Sequence, residues 1–142
     1  MLKKIKRTLS VGISVLILIL SLTVCAFAAV KEGREYSDEF STKNSVSMST
    51  HAYGYKNIKM KAKGLWSNGA SQEIRVTLYT KDGRNYVSRG SCLCSTSTSG
   101  GTYTWYNANT NKTLAKPAYF SVSKKYSNSV PIGGTIVSWS FE

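Results

Sequence analysis

The fold of this chain is decided between Ile58 and Thr80, where the sequence reads IKMKAKGLWSNGASQEIRVTLYT. In its first part, Ile58, Met60 and Ala62 alternate with three lysines. In its last part, a second set of apolar residues within 74–78 alternates with Arg, Thr and Tyr. Successive side chains of a strand point to opposite faces, so each part predicts a half-buried β-strand.

Similar segments recur along the rest of the chain. They are alternating or rich in aromatic and β-branched residues, and they lie at 46–50, 86–94, 102–106, 118–123 and 135–141. Turn-forming pairs such as Asn68-Gly69, Asp82-Gly83 and Gly133-Gly134 separate several of them. We therefore predict an all-β fold. It is a single antiparallel β-sandwich of about seven strands over residues 42–142, immunoglobulin-like or jelly-roll-like.

The first 28 residues have the layout of a secretory signal peptide. Positive charges in residues 1–7 precede an apolar run over 9–24, and Ala26-Phe27-Ala28 supplies small residues for cleavage. The run is too short to span a bilayer as a helix. We predict a secreted, extracellular protein that has no stable membrane insertion after cleavage. A flexible charged arm over residues 29–41 would precede the basic domain.

The charge of that domain favours an anionic partner. The whole chain has a net charge of +12. Between Phe40 and Phe141 there are 13 Lys and Arg residues, against only Glu73 and Asp82 as acids. The electrostatic field of such an excess of positive charge attracts polyanions. We predict an anionic polymer of the cell envelope or matrix as the partner, with a plain solubility charge as the alternative, and we do not expect nucleic acid.

The lysines at alternate positions suggest where that partner binds. If the two strands of the opening stretch form a hairpin with an odd loop, Met60 lies opposite Leu78 and Lys63 lies opposite Arg75. All the outward side chains then share one solvent face. The predicted ligand-binding residues are Lys59, Lys61, Lys63, Arg75, Tyr79 and Tyr86. The alternative is a lysine-rich strand that only prevents edge-to-edge aggregation.

The next hairpin has a more specific expectation. A two-residue turn at Asp82-Gly83 would set Tyr79 opposite Tyr86. The same register would bury Arg89, and a bulge or strand end near Gly90 would relieve this.

Aromatic residues offer a second kind of site. Trp66, Trp105 and Trp139 all lie in strand-like segments and are predicted to belong to the core. Tyr103, Trp105 and Tyr106 lie beside a loop rich in Ser, Thr and Gly, where they could form a stacking platform for neutral sugars.

Cys92 and Cys94 are the only cysteines after the signal segment. On a strand they share a face with Cα atoms about 6.6 Å apart, near the upper limit for a disulfide. Free thiols, a strained disulfide and a soft-metal pair completed by His51, the only histidine, all remain open.

Enzyme signatures are weak. Glu73 and Asp82 would lie on the order of 30 Å apart if one strand joins them, too far for a glycosidase pair. The prediction is a non-enzymatic binding module without catalytic residues, cofactor or metal. A cationic antimicrobial or toxin and a neutral-carbohydrate-binding module are the alternatives, and the oligomeric state is left open.

Overall fold

The structure is a computed structural model that describes residues 31–97, 101–109 and 115–142. These residues form strands and loops, and within them no helix is long and apolar enough to cross a bilayer. The predicted signal peptide, residues 1–28, lies outside the described residues.

Nine strands make up the described part. They are β1 (Tyr36–Thr42), β2 (Ser45–Ser47), β3 (His51–Tyr53), β4 (Asn57–Ser67), β5 (Glu73–Asp82), β6 (Asn85–Ser95), β7 (Thr102–Trp105), β8 (Lys116–Lys124) and β9 (Ile132–Phe141). Sheet A has the order β1-β9-β4-β7. Sheet B has the order β2-β8-β5-β6, and β3 also pairs with β8. All the strand pairs are antiparallel.

The alternating apolar residues of both sheets face one shared core. Ile58 and Met60 of β4 are fully buried, and so are Val76 and Leu78 of β5. Phe120 of β8 packs against Trp105 of β7 with ring centroids 5.6 Å apart, which joins the two sheets. The prediction of an all-β fold with antiparallel sheets is confirmed, and the arrangement is consistent with a sandwich.

Part of the predicted flexible arm is a strand instead. Within residues 29–41, Tyr36 to Ser41 belong to β1 and pair with β9, so the arm prediction is wrong there. The alternation was hidden because Asp38 points inward with Tyr36 and Phe40. Its carboxylate is 2.7 Å from the ring nitrogen Nε2 of His51 on β3, which compensates the inward charge.

The predicted hairpin between β4 and β5 is also wrong. The two strands lie in different sheets, and β4 pairs with β9 and β7. Lys63 lies opposite Thr135, and Arg75 lies between Leu93 and Ser123. Alternation shows which side chains of a strand are buried, but it does not identify the neighbouring strand, and residues 68–72 cross from one sheet to the other.

The hairpin between β5 and β6 agrees more closely with expectation. Its loop has two residues, but Asp82 pairs with Asn85, so the turn lies one residue later than predicted. Tyr79 therefore faces Ser88 rather than Tyr86. The bulge expected near Gly90 is confirmed, because the register shifts between Thr77 and Tyr79.

That bulge gives Arg89 a polar environment at the sheet margin. Gly90 has φ of +101°, a conformation that favours glycine. Nε of Arg89 donates to the Thr80 hydroxyl at 2.6 Å, and its guanidinium lies 3.7 Å from the Asp82 carboxylate.

Side-chain hydrogen bonds connect the two sheets at both lateral edges of the fold, one next to β1 and β3 and the other next to β6 and β7. On the β1/β3 side, the Tyr36 hydroxyl donates to the carbonyl of Ala52 at 2.7 Å, and the hydroxyls of Tyr53 and Ser138 are 2.6 Å apart. On the β6/β7 side, the Tyr103 hydroxyl donates to the carbonyl of Leu93 at 2.5 Å. There the indole N–H of Trp105 donates to the carbonyl of Gly90 at 3.2 Å.

Candidate binding surface

Three lysines form a row on the outward face of sheet A. Lys59, Lys61 and Lys63 alternate on β4 with the buried Ile58, Met60 and Ala62. We call these three residues the lysine row. The rise of about 3.3 Å per residue places neighbouring members about 6.6 Å apart and the outer two about 13 Å apart.

The surroundings of the lysine row are hydroxyl-bearing and apolar. Thr104 and Thr102 of β7 lie opposite Lys59 and Lys61 on one side. On the other side Trp139, Val137 and Thr135 of β9 lie opposite Lys59, Lys61 and Lys63 in turn. The Lys59 ammonium also lies over the Phe141 ring, 4.5 Å from its centroid. Lys59 and Lys61 are half-buried, so their alkyl stems lie against the sheet while the charged ends remain at the surface.

The lysine row has no carboxylate partner within salt-bridge distance among the described residues. By contrast, Lys125 lies 2.6 Å from the Glu73 carboxylate on sheet B, and this ion pair raises the pKa of Lys125. The positive charge of the row is therefore available to an external anion.

A shallow groove continues the surface beyond Lys63. A bulge at Gly64 and Leu65 shifts the register, and Trp66 then lies opposite Gly133. A Cβ atom on Gly133 would come within 2.3 Å of the indole, so only glycine lets the Trp66 ring lie this close to β9. The groove has a volume of about 470 Å³ and is lined by Glu39, Phe40, Ser41, Gly64, Trp66, Gly134 and Thr135.

Trp66 is a functional candidate that the sequence reasoning placed wrongly. We expected it in the core, but 40% of its surface is exposed. Trp105 is in the core as expected, with 8% exposed, whereas Trp139 is half-buried on the outward face. The sequence feature that could have indicated this position of Trp66 is Gly133-Gly134, because paired glycines occur where a side chain packs closely on the backbone as well as in turns.

The remaining residues of the predicted basic face lie on sheet B. Arg75 and Tyr79 point outward from β5, so the structure does not bring them together with the lysine row. Tyr79 stacks on Tyr119 of β8 with centroids 5.1 Å apart, and Tyr86 meets Tyr119 edge-on at 5.0 Å. Sequence reasoning missed Tyr119, although it alternates with the core residues Ala118 and Phe120. Whether these residues bind a ligand stays a prediction.

The predicted aromatic platform is also divided. Tyr103 and Trp105 point inward from β7, whereas Tyr106 is 73% exposed. The three rings therefore do not form a common exposed surface. Any binding of sugars by these residues stays untested.

Cys92 and Cys94 are free thiols on the inward side of β6. A hydrogen bond from the Cys92 thiol lowers the pKa of Cys94, burial opposes this, and the Tyr103 hydroxyl lowers it further. The same thiol–thiol contact, followed by burial, raises the pKa of Cys92. Burial and the nearby thiols raise the pKa of Tyr103 to about 12.

His51 makes contacts within the fold on the β1/β3 side. Its ring stacks on Tyr36 with centroids 4.1 Å apart, and its Nε2 contacts Asp38. In the described ranges, no three His, Cys, Asp or Glu residues are close enough to hold a metal ion. His51 is therefore not brought to Cys92 and Cys94 as a third ligand.

The sequence matches no protein family model, and no curated protein is significantly similar to it.

Proposed function

We propose that this protein is a secreted, non-enzymatic module that binds an acidic polysaccharide of the cell envelope or matrix through the lysine row. The observation that supports this is the alignment of three like charges on one outward strand face without carboxylate partners in the described residues. Packing like charges together costs free energy unless counterions or a ligand compensate them. A linear polyanion does so along its whole length.

The groove beyond Lys63 indicates which kind of anionic polymer the protein would bind. Trp66 presents an exposed aromatic ring at the end of the lysine row, and aromatic rings pack well against the apolar faces of sugars. Glu39 also lines the groove, which disfavours a charged group there. We therefore expect anionic groups of the polymer at the lysines and an uncharged sugar ring at Trp66.

The test uses two triple variants that remove equal charge from different sheets. Lys59/Lys61/Lys63→Gln neutralises the lysine row, and Arg75/Lys81/Arg84→Gln neutralises exposed positions on β5 and its turn. Binding to polygalacturonate is measured by co-sedimentation over a salt series, with neutral dextran as a control. We expect the first variant to lose affinity about tenfold and the second to change it less than about threefold. Salt of several hundred millimolar should weaken wild-type binding sharply.

Trp66→Ala separates a polysaccharide from other polyanions. It should weaken binding to polygalacturonate but leave binding to inorganic polyphosphate unchanged. Equal losses in the two triple variants would mean that net charge alone attracts the polymer, and binding indifferent to salt would reject the proposal.

An antimicrobial or toxin function remains the alternative. Inhibition of bacterial growth by the purified wild-type protein, retained in the lysine-row variant, would favour it over the binding module.

A further inference from the structure

Cys92 and Cys94 lie where two thiols can react with each other. They occupy alternate positions of β6, opposite Val76 and Ile74, so both point toward the core. Cys94 is 7% exposed, and Cys92 is half-buried. The two thiols interact, since the contact between them shifts their pKa values in opposite directions. The strand rise of about 3.3 Å per residue places their Cα atoms about 6.6 Å apart, just inside the range that disulfides span.

Strand β6 is placed to absorb the strain of closing such a bridge. It is the edge strand of sheet B and, among the strands that the structure describes, pairs only with β5. The bulge before Ser91 already bends it, and Gly90 adopts a φ of +101° there. An edge strand with a bulge can change its local twist without breaking a second ladder of hydrogen bonds. A strained bridge of this kind is easily reduced, which favours reversible chemistry over a permanent cross-link.

Tyr103 supplies a proton donor to the same pair. Its hydroxyl carries a single proton, which is donated to the carbonyl of Leu93 in this structure. The hydroxyl also lies within reach of the Cys94 thiol. When Cys94 ionises, the proton can turn from the carbonyl to the thiolate. One cysteine is thus stabilised as the thiolate while the other keeps its proton, the division of roles that thiol–disulfide exchange requires.

We propose that Cys92 and Cys94 form a reversible dithiol–disulfide pair that exchanges with small-molecule disulfides. The Cys94 thiolate attacks one sulfur of a disulfide RSSR, forming a mixed disulfide and releasing RS⁻. Cys92 then loses its proton and attacks the Cys94 sulfur, forming the Cys92–Cys94 bond and releasing the second RS⁻. The protein loses two electrons and two protons, and RSSR becomes two RSH. Local opening of the edge strand admits the reagent to Cys94.

One peptide of the protein reports this chemistry directly. Trypsin cuts after Arg89 and after Lys112, so residues 90–112 form one peptide that holds both cysteines and excludes Cys25. The full-length protein is equilibrated at neutral pH with mixtures of glutathione and glutathione disulfide in the presence of EDTA. Free thiols are then blocked with N-ethylmaleimide, and the peptide is weighed by mass spectrometry.

As the disulfide fraction rises, we expect the doubly blocked peptide to be replaced by an unblocked peptide that is two hydrogen atoms lighter than the reduced peptide. The change should reverse with excess glutathione. Cys92→Ser should instead accumulate a glutathione adduct on Cys94. A peptide that stays doubly blocked in glutathione disulfide, or one that carries two adducts and no internal bond, would overturn the proposal.

Tyr103→Phe tests the positioning role of the hydroxyl, with Tyr106→Phe as the exposed control. Iodoacetamide labelling of Cys94 at neutral pH should slow by about twofold in Tyr103→Phe, the change in thiolate fraction when a pKa of about 7 rises by half a unit. Tyr106→Phe should label at the wild-type rate. Equal rates in all three proteins would remove Tyr103 from the mechanism, and equal rates in the unfolded proteins would show that the difference depends on the fold.

Discussion

The two lateral edges of this protein are closed by similar hydrogen bonds but by different chemistry. On each side a tyrosine hydroxyl from sheet A reaches a backbone carbonyl of sheet B, Tyr36 to Ala52 and Tyr103 to Leu93. The β1/β3 side adds the contact of Asp38 with His51. The β6/β7 side adds the buried Trp105 ring.

The buried ring on one side and the paired charge on the other affect different properties of the fold, namely its overall stability and the register of its strands. Burial of a tryptophan removes 150–250 Å² of surface from water and dominates local energetics. A paired charge that points inward contributes less net free energy, because desolvation offsets its attraction. However, it strongly disfavours any register that leaves it unpaired. We expect the β6/β7 side to contribute more stability and the β1/β3 side to fix how β1 is placed.

The largest expected effect comes from Trp105→Ala. It removes the ring that contacts Phe120 and leaves a cavity between the sheets, so we expect a loss of about 3–5 kcal/mol in the free energy of unfolding. Urea unfolding followed by circular dichroism measures this. Trp66→Ala is the control, because its ring is 40% exposed and should cost about 1 kcal/mol. Similar costs for the two variants would mean that burial of the Trp105 ring does not give the β6/β7 side its stability.

A smaller effect is expected from Asp38→Ala. The variant leaves His51 facing the core without its partner, and loss of a hydrogen bond to a charged carboxylate costs about 2 kcal/mol. Glu39→Ala removes the same charge from the exposed neighbour on β1 and should change stability by less than about 0.5 kcal/mol. Equal stability of the two variants would mean that the inward Asp38 carboxylate contributes no more to stability than an exposed carboxylate does.

The smallest expected effect is a change in how steeply the free energy of unfolding depends on pH above neutrality. Burial raises the pKa of Tyr53, so its hydroxyl stays protonated in the folded protein when it ionises in the unfolded one. This stability is fully present below the unfolded pKa of about 10 and is lost as pH rises toward the folded value, by up to about 1.4 kcal/mol per pH unit.

Tyr53→Phe removes that titration together with the hydrogen bond to Ser138. The variant should be about 1 kcal/mol less stable at neutral pH. The gap to wild type should narrow above pH 10, as measured by urea unfolding at several pH values. A constant gap would mean that Tyr53 does not couple folding to alkaline pH.

Local pattern predicted the strands better than their neighbours. The alternation around Met60 and Val76 correctly identified two strands and their buried faces. It could not show that β4 pairs with β9, because that contact joins segments more than 60 residues apart in the chain, as Lys63 and Thr135 are. The predicted basic face therefore separated into a lysine row on sheet A and a tyrosine cluster on sheet B.

The errors at single residues have a common physical cause. Asp38 looked like part of a solvated arm because a charge facing inward is stable only when a distant group, here His51, compensates it. Trp66 looked like core because its exposure depends on Gly133 across the sheet. By contrast, the bulge at Gly90 was predictable, since the unfavourable burial of Arg89 is visible within one hairpin.

The position of β9 has a consequence for how the chain folds. β9 comes last among the strands of sheet A in sequence, yet it lies between β1 and β4. The pairing of Tyr36 with Ser138 closes a loop on the order of 100 residues, and such non-local closure slows folding. Sheet A therefore cannot assemble before β9 has been synthesised, and a truncation that removes β9 takes a partner from two strands at once.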